Sequence, residues 1–233
     1  MSLTLPFVGR RKQTSQLQRL HAQRKHSLIL GPEGVGKTAL IANVASRLPL
    51  LICPNSVRLS DICSALESQL RLEASGRRLS PRKNHLLNTL RQAGQTVVFD
   101  GVTWTTPKLS SFLECVMERA PVWIAARSDR SWDIGRAWPL LVRFTRIEIK
   151  PFHLAETREL IEAAIKLGLA PISAADAVER LHHLCAGNPK VLVELIEGLA
   201  TGHYDPHRKF DLRLLDLDRR IQNLSTPEEL HRR

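Results

Sequence analysis

The chain has 233 residues, 43% hydrophobic and 24% charged, with 12 glycines and 13 prolines. That excludes a disordered chain, a fibrous one and a disulfide-stapled miniprotein, and leaves an ordinary globular protein with a sizeable core. The formal net charge of +11 is uneven: 23 basic and 10 acidic residues stand up to Lys150, against 11 and 13 beyond it. Such an asymmetry is a footprint of a polyanionic partner, nucleic acid above all, carried by the N-terminal part.

Residues 10–25 hold six basic side chains and no acid, the first of two basic patches. The apolar run at 27–30 reads as a buried strand and residues 37–48 as a helix. Between them stand Gly31, Pro32, Glu33, Gly34, Val35, Gly36, Lys37 and Thr38, followed by Ala39. This satisfies G-x-x-x-x-G-K-[ST] in full, in the strand-to-helix context the motif demands. Glycines let the backbone wrap an anion with its N–H groups inward, and the helix presents its positive end to the same phosphates. Lys37 suits the β/γ-phosphates and Thr38 suits Mg²⁺.

A strand at 50–53 and helices at 59–72 and 81–92 follow. The second basic patch, 71–91, holds Arg71, Arg77, Arg78, Arg82, Lys83 and Arg91 against Glu73 alone. Arg suits bidentate phosphate contacts, and Arg77, Arg78, Arg82 and Lys83 are the candidates for duplex DNA. Neither patch contains an aromatic residue, so backbone contact is expected rather than base stacking.

Residues 96–99 form the next strand, and Asp100 at its end supplies the second acidic group a P-loop needs to hold magnesium. Gly101 stands where many P-loop ATPases carry the carboxylate that activates water, which predicts slow hydrolysis. A helix at 109–118 and strands at 122–125 and 146–149 complete five strands alternating with helices. This pattern implies a three-layer α/β/α core with a five-stranded, mainly parallel sheet. Beyond Pro151 the strand signal ends. Helices at 155–167, 173–185 and 189–200 read as a small helical lid, with Ser173 and Asp176 in a variant of the capping box. The expected organisation is 1–150 nucleotide-binding, 151–200 lid, and 201–233 a charged tail with a helical stretch near 208–223.

At this point the chain resembles the AAA+ ATPases, especially the branch bordering the STAND signalling ATPases and the origin-recognition initiators. Phe7-Val8-Gly9-Arg10 is similar to the box whose residues lie beside the adenine in that group. Asp100-Gly101-Val102-x-Trp104 resembles the STAND form of the second acidic motif. The resemblance implies a sensor-1 role for Arg127 and makes Arg143 the candidate arginine finger reaching a neighbour's γ-phosphate, with Arg130 and Arg136 behind it. Gly187-Asn188-Pro189-Lys190 resembles the lid motif, which implies that Pro189 contacts the base and Lys190 takes the sensor-2 position. A stand-alone module of this size is more similar to the ATPase regulators of transposition than to initiators with appended DNA-binding domains.

The expectation is therefore an ATPase with ATP and Mg²⁺ as cofactors that assembles with ATP into a homo-oligomer. It binds duplex DNA and recruits a separate protein. The rival is a nucleotide-dependent signalling switch that binds a protein and no DNA. The histidines lack zinc spacing, and Cys53, Cys63, Cys115 and Cys185 read as reduced packing residues. No apolar run is long enough for a membrane span or a secretory signal, so a cytoplasmic location is expected.

Overall fold

Four of the five strands are short, largely apolar and apolar on both faces, the pattern of a sheet covered on both sides, while the fifth, Thr145–Glu148, buries only Ile147. The computed structural model, which describes residues 5–53, 55, 58–72 and 79–225, bears this out. In chain order the elements are α1 (Arg11–Ala22), β1 (Ser27–Leu30), α2 (Lys37–Ala45), β2 (Leu50–Cys53), α3 (Leu59–Gln69), α4 (Leu79–Ala93) and β3 (Thr96–Val102). They continue with α5 (Pro107–Met117), β4 (Val122–Ala126), α6 (Ser131–Ile134), a 3-10 segment Trp138–Arg143 and β5 (Thr145–Glu148). After Pro151 come α7 (Leu154–Lys166), a 3-10 segment Ile172–Ala177, α8 (Val178–Cys185), α9 (Pro189–Ala200) and α10 (Lys209–Ser225).

The five strands form one sheet in the order β2-β3-β4-β1-β5, every pair parallel. With its helices it is a three-layer α/β/α P-loop fold. Leu28, Leu51, Val97, Phe112, Val122 and Ile124 are among its fully buried residues. The described residues divide into two compact units. One takes the described residues of Arg10–Glu33 and Lys37–Lys150; the other takes 151–225 with 5–9 and Gly34–Gly36. Among the described residues no helix is long and apolar enough to cross a membrane.

α1 was not read as a helix from the sequence, where its basic residues read only as a patch. Leu17 and Leu20 bury one face while Arg11, Lys12 and Arg19 lie exposed on the other. Arg10 departs from the patch: it is buried, with φ 60°, at the N-cap of α1. The capping expectation at Ser173 is corrected too. That stretch is a 3-10 turn entered from Pro171, and α8 begins only at Val178. Glu156 supplies the comparable contact one helix earlier, accepting from the His153 N–H at 2.9 Å.

Two histidines brace the edge where the strands begin. His21 Nδ1 lies 2.8 Å from Thr96 Oγ1, and His26 Nδ1 accepts from the Val122 N–H at 3.0 Å. Burial lowers both pKa values, with Arg24 adding to the effect at His21 and Arg143 at His26. A His with a depressed folded pKa binds fewer protons folded than unfolded, so its contribution is full above about pH 6.5 and is lost as pH falls through the folded value. Melting temperature should therefore drop between about pH 7.5 and pH 5. In His26→Asn, whose amide oxygen can accept without titrating, that drop should shrink; an unchanged pH profile would exclude His26 as its source.

Candidate nucleotide-binding site

The P-loop leaves β1 and runs into α2 with no intervening residue, because Lys37 is itself the first helical position. The Gly31 N–H donates to the Ala126 carbonyl at the end of β4 (3.3 Å), and Val35 is buried. Gly34 and Gly36 have φ of +77° and +93°, conformations that L side chains rarely adopt. They turn the backbone N–H groups into the concavity that suits an anion. Lys37 Nζ donates to the carbonyls of Gly31 (2.7 Å) and Pro32 (2.9 Å). Burial lowers the Lys37 pKa; Asp100 and Glu33 partly offset this, and Arg127 adds to it.

Those electrostatic neighbours follow from the strand order. β4 lies between β1 and β3, so Arg127, just past β4, falls between the P-loop and Asp100. This is the C-terminal edge of a parallel sheet, where ligands of such folds bind. β3 is longer than expected and continues through Val102. Its pairing with β4 shifts register between Phe99 and Val102, a bulge that takes Asp100 and Gly101 out of regular alternation.

Gly101 has φ +71°, and an added Cβ there would lie 3.3 Å from Asn55. A glutamate at this position would be strained, which accounts in backbone terms for the residue found. Asp100 Oδ1 is buried and, among the described residues, has no hydrogen-bond partner. An orphaned carboxylate oxygen beside a P-loop is the chemistry a Mg²⁺ ligand requires. The described residues hold no cluster of three or more His, Cys, Asp or Glu able to take a metal. Mg²⁺ needs none, since it is commonly held by one or two protein oxygens, phosphates and water.

The remaining candidates fall in several places. Val8 and Leu5 pack against the helical core of Phe152, Ile161, Leu181 and Leu195, and Phe7 is half-buried. Inside the same unit the Lys190 N–H donates to the Gly34 carbonyl at 3.1 Å, and a Cβ on Gly34 would lie 2.6 Å from Asn188 Oδ1. Asn188 caps α9, accepting from Lys190 N at 3.0 Å, with Pro189 in the first turn. Arg143 is exposed and sits beside His26, at the edge where β1 and β5 begin. That is the end of the strands away from the P-loop.

The DNA candidates divide. Arg77 and Arg78 lie outside the described residues. Lys83 is half-buried on α4. Arg82 departs from its expected role: its Nη2 lies 2.6 Å from Glu67 Oε2 and 2.8 Å from Ser64 Oγ, and Glu67 is buried. Its charge is neutralised inside the fold, joining α4 to α3.

Ser128, Trp132 and Asp133, which sequence reasoning passed over, stand beside Arg127. Pro32, Arg127, Ser128, Arg130, Trp132 and Asp133 line a cavity of about 410 Å³. Arg130 stacks over the Trp132 ring at 5.2 Å, and Trp138 Nε1 donates to the Asp129 carbonyl at 3.0 Å. Trp104 lies beside Gly135, the residue that bridges to Thr105. Three of the four tryptophans are exposed, by 51% (Trp104), 64% (Trp132) and 50% (Trp138). All four lie within residues 104–138, a clustering in the sequence that could have pointed to this region.

The sequence matches no protein-family model and no curated protein. Solved structures do match. A Walker-type ATPase of Pyrococcus abyssi superposes with a TM-score of 0.68 at 15% identity, covering 97% of this chain and 76% of that one. This is the fold of the AAA+ and STAND P-loop ATPases. Within that fold, Cdc6p of Pyrobaculum aerophilum aligns with a TM-score of 0.65 at 16% identity, covering 87% of this chain and 65% of its own. The Orc1 protein of Aeropyrum pernix, solved in complex with DNA, aligns at 0.62 and 15%, covering 91% and 66%. A STAND protein of Pyrococcus horikoshii with a tetratricopeptide repeat sensor aligns at 0.54 and 16%, covering 92% and 33%. The chain thus spans about two thirds of the length of the Cdc6p and Orc1 chains and a third of the STAND one.

Proposed function

We propose that this chain is an AAA+/STAND-like ATPase that binds ATP with Mg²⁺, hydrolyses it slowly, and assembles with ATP into a homo-oligomer. The observation that carries the reading is the orphaned Asp100 carboxylate beside a complete P-loop. Lys37 meets the β/γ-phosphates, the loop N–H groups and the start of α2 cradle the phosphates, and Thr38 with Asp100 holds the metal. Bound Mg²⁺ offsets the charge on the phosphates. Phe7 and Val8 flank the base with Pro189. Arg127 and Lys190 act at the γ-phosphate as sensors. Arg143, away from its own P-loop, serves a neighbouring subunit. Gly101 offers no carboxylate to orient water, so turnover is slow.

In the same reading the basic surface holds duplex DNA while the assembled protein recruits a partner protein, in the manner of a transposition-type regulator. The exposed Arg11, Lys12 and Arg19 of α1 support it, together with Arg77, Arg78 and Lys83; Arg82 is left out because Glu67 neutralises it. Each phosphate contact should contribute a slope of about −0.9 to log affinity against log salt. ATP should strengthen binding, because assembly sets several weak patches along one duplex. Affinity for a short duplex across a salt series, with and without ATP, tests this in the parent and in a variant carrying Arg77→Glu and Arg78→Glu. The variant should show a flatter slope and weaker binding to all sequences alike.

The signalling switch has one observation in its favour. Trp104, Trp132 and Trp138 are each about half exposed or more, and exposed aromatic side chains of this kind suit a protein partner. If no duplex is held at low salt in any nucleotide state, this second reading replaces the first.

A further inference from the structure

α10 carries two apolar stripes, and one of them is spent on its own unit. Leu212 and Leu215 are buried in the helical core, and Leu215 packs so close to Gly198 of α9 that an added Cβ there would force its side chain to shift. Arg219 secures the same face, reaching Asp216 at 2.8 Å and Glu194 of α9 at 3.0 Å. The second stripe is Phe210, Leu214, Leu217, Ile221 and Leu224, exposed by 74, 40, 52, 51 and 73%. Its members are separated by four, three, four and three residues. That alternation is how a helix lines a seam for a second helix.

The charges beside the stripe say what the second helix is. Placing Leu214 and Ile221 at heptad position a, and Phe210, Leu217 and Leu224 at d, puts Leu212, Leu215, Asp216 and Arg219 on the opposite face. Both assignments are therefore satisfied by one helix. Arg213 and Arg220 then fall at g, while Asp211 and Asp218 fall at e. In a parallel pair a g residue meets the e residue of the following heptad across the seam, so Arg213 of one copy faces Asp218 of the other. Asp218 Oδ2 already accepts from Tyr204 Oη at 2.7 Å, which fixes the carboxylate and leaves it capacity for a second donor. An antiparallel pair would instead set Arg against Arg and Asp against Asp. Ile221 at a, between Leu217 and Leu224 at d, also suits two strands.

We infer that α10 pairs in parallel with α10 of a second copy of this chain, forming a homodimer that needs no nucleotide. The seam uses none of the residues assigned to the nucleotide, so it stands or falls apart from the proposed ATP-driven assembly. Two heptads make a small interface, and the dimer is correspondingly weak; its helix, however, is already ordered by the buried face.

Sedimentation of the full chain in EDTA without nucleotide, over concentrations up to about 1 mM, tests this. A monomer–dimer equilibrium is expected. Leu217→Asp should leave the protein monomeric with its melting temperature and helicity unchanged, since Leu217 is exposed. Arg213→Asp should weaken the dimer at least about tenfold and Arg213→Asp with Asp218→Arg should recover it. Leu224→Cys should oxidise to a covalent dimer that the parent, with its native cysteines, does not form. A monomer throughout would overturn self-pairing and leave the stripe to a different protein. A dimer indifferent to Leu217→Asp would overturn the seam. Cross-linking only when Phe210→Cys is combined with Leu224→Cys would overturn the parallel arrangement.

Discussion

Lys37→Ala should weaken ATP binding about 100-fold or more while leaving the fold intact. The ammonium donates to the carbonyls of buried Gly31 and exposed Pro32, so its loss leaves one buried acceptor unpaired, a cost of about 1–3 kcal/mol that a folded domain tolerates. On the proposed reading the same group would make charge-assisted contacts to the β/γ-phosphates of bound nucleotide, each of about 1.5 kcal/mol or more, and two such contacts amount to about two orders of magnitude. Calorimetric titration of ATP into parent and variant, beside their thermal melts, separates the two effects. Equal affinity in both proteins would remove Lys37 from the site.

Arg82→Ala should cost about 2–3 kcal/mol of stability, because it leaves the buried Glu67 carboxylate without its fork-shaped donor. For a chain of this size that is a fall in melting temperature of roughly 5–10 °C. Lys83→Ala, one position along the same helix, is the control and should change little. The pair of variants also sorts structure from recognition. If Arg82→Ala melts with the parent but loses duplex affinity, Arg82 faces DNA after all and the Glu67 pairing is not what holds it.

The sheet and the loop were legible in the sequence because their signals are local. Four of the strands are carried by short apolar runs, and the P-loop is marked by its glycines, Lys37 and Thr38 at fixed spacing. Asp100 was legible as a strand-end acid, but the bulge that displaces it was not, because register depends on β4, twenty residues away. α1 was hidden because only Thr14, Leu17 and Leu20 of its twelve residues are buried, too sparse a stripe to stand out among basic residues. Arg82 illustrates the converse error. A run of positive charge looks uniform along the chain, and only the approach of α3 shows that one member of it is matched by Glu67. The exposure of the tryptophans is also set by tertiary structure: Trp104 follows β3 while Trp132 and Trp138 follow β4, and Trp123, close to them in sequence, is fully buried. The start of α8 shifted from the expected position because Pro171 directs the chain into a 3-10 turn first.

If Asp100 and the P-loop together hold a magnesium–nucleotide complex, Mg²⁺ must tighten ATP binding through the Asp100 carboxylate. ATP binding is measured in Mg²⁺ and in EDTA, in the parent and in Asp100→Asn, which keeps the size of the side chain and removes its charge. The account predicts that Mg²⁺ tightens ATP binding in the parent and that most of this gain disappears in the variant. ATP affinity that responds to Mg²⁺ equally in both proteins, or no ATP binding by the parent at all, would contradict it.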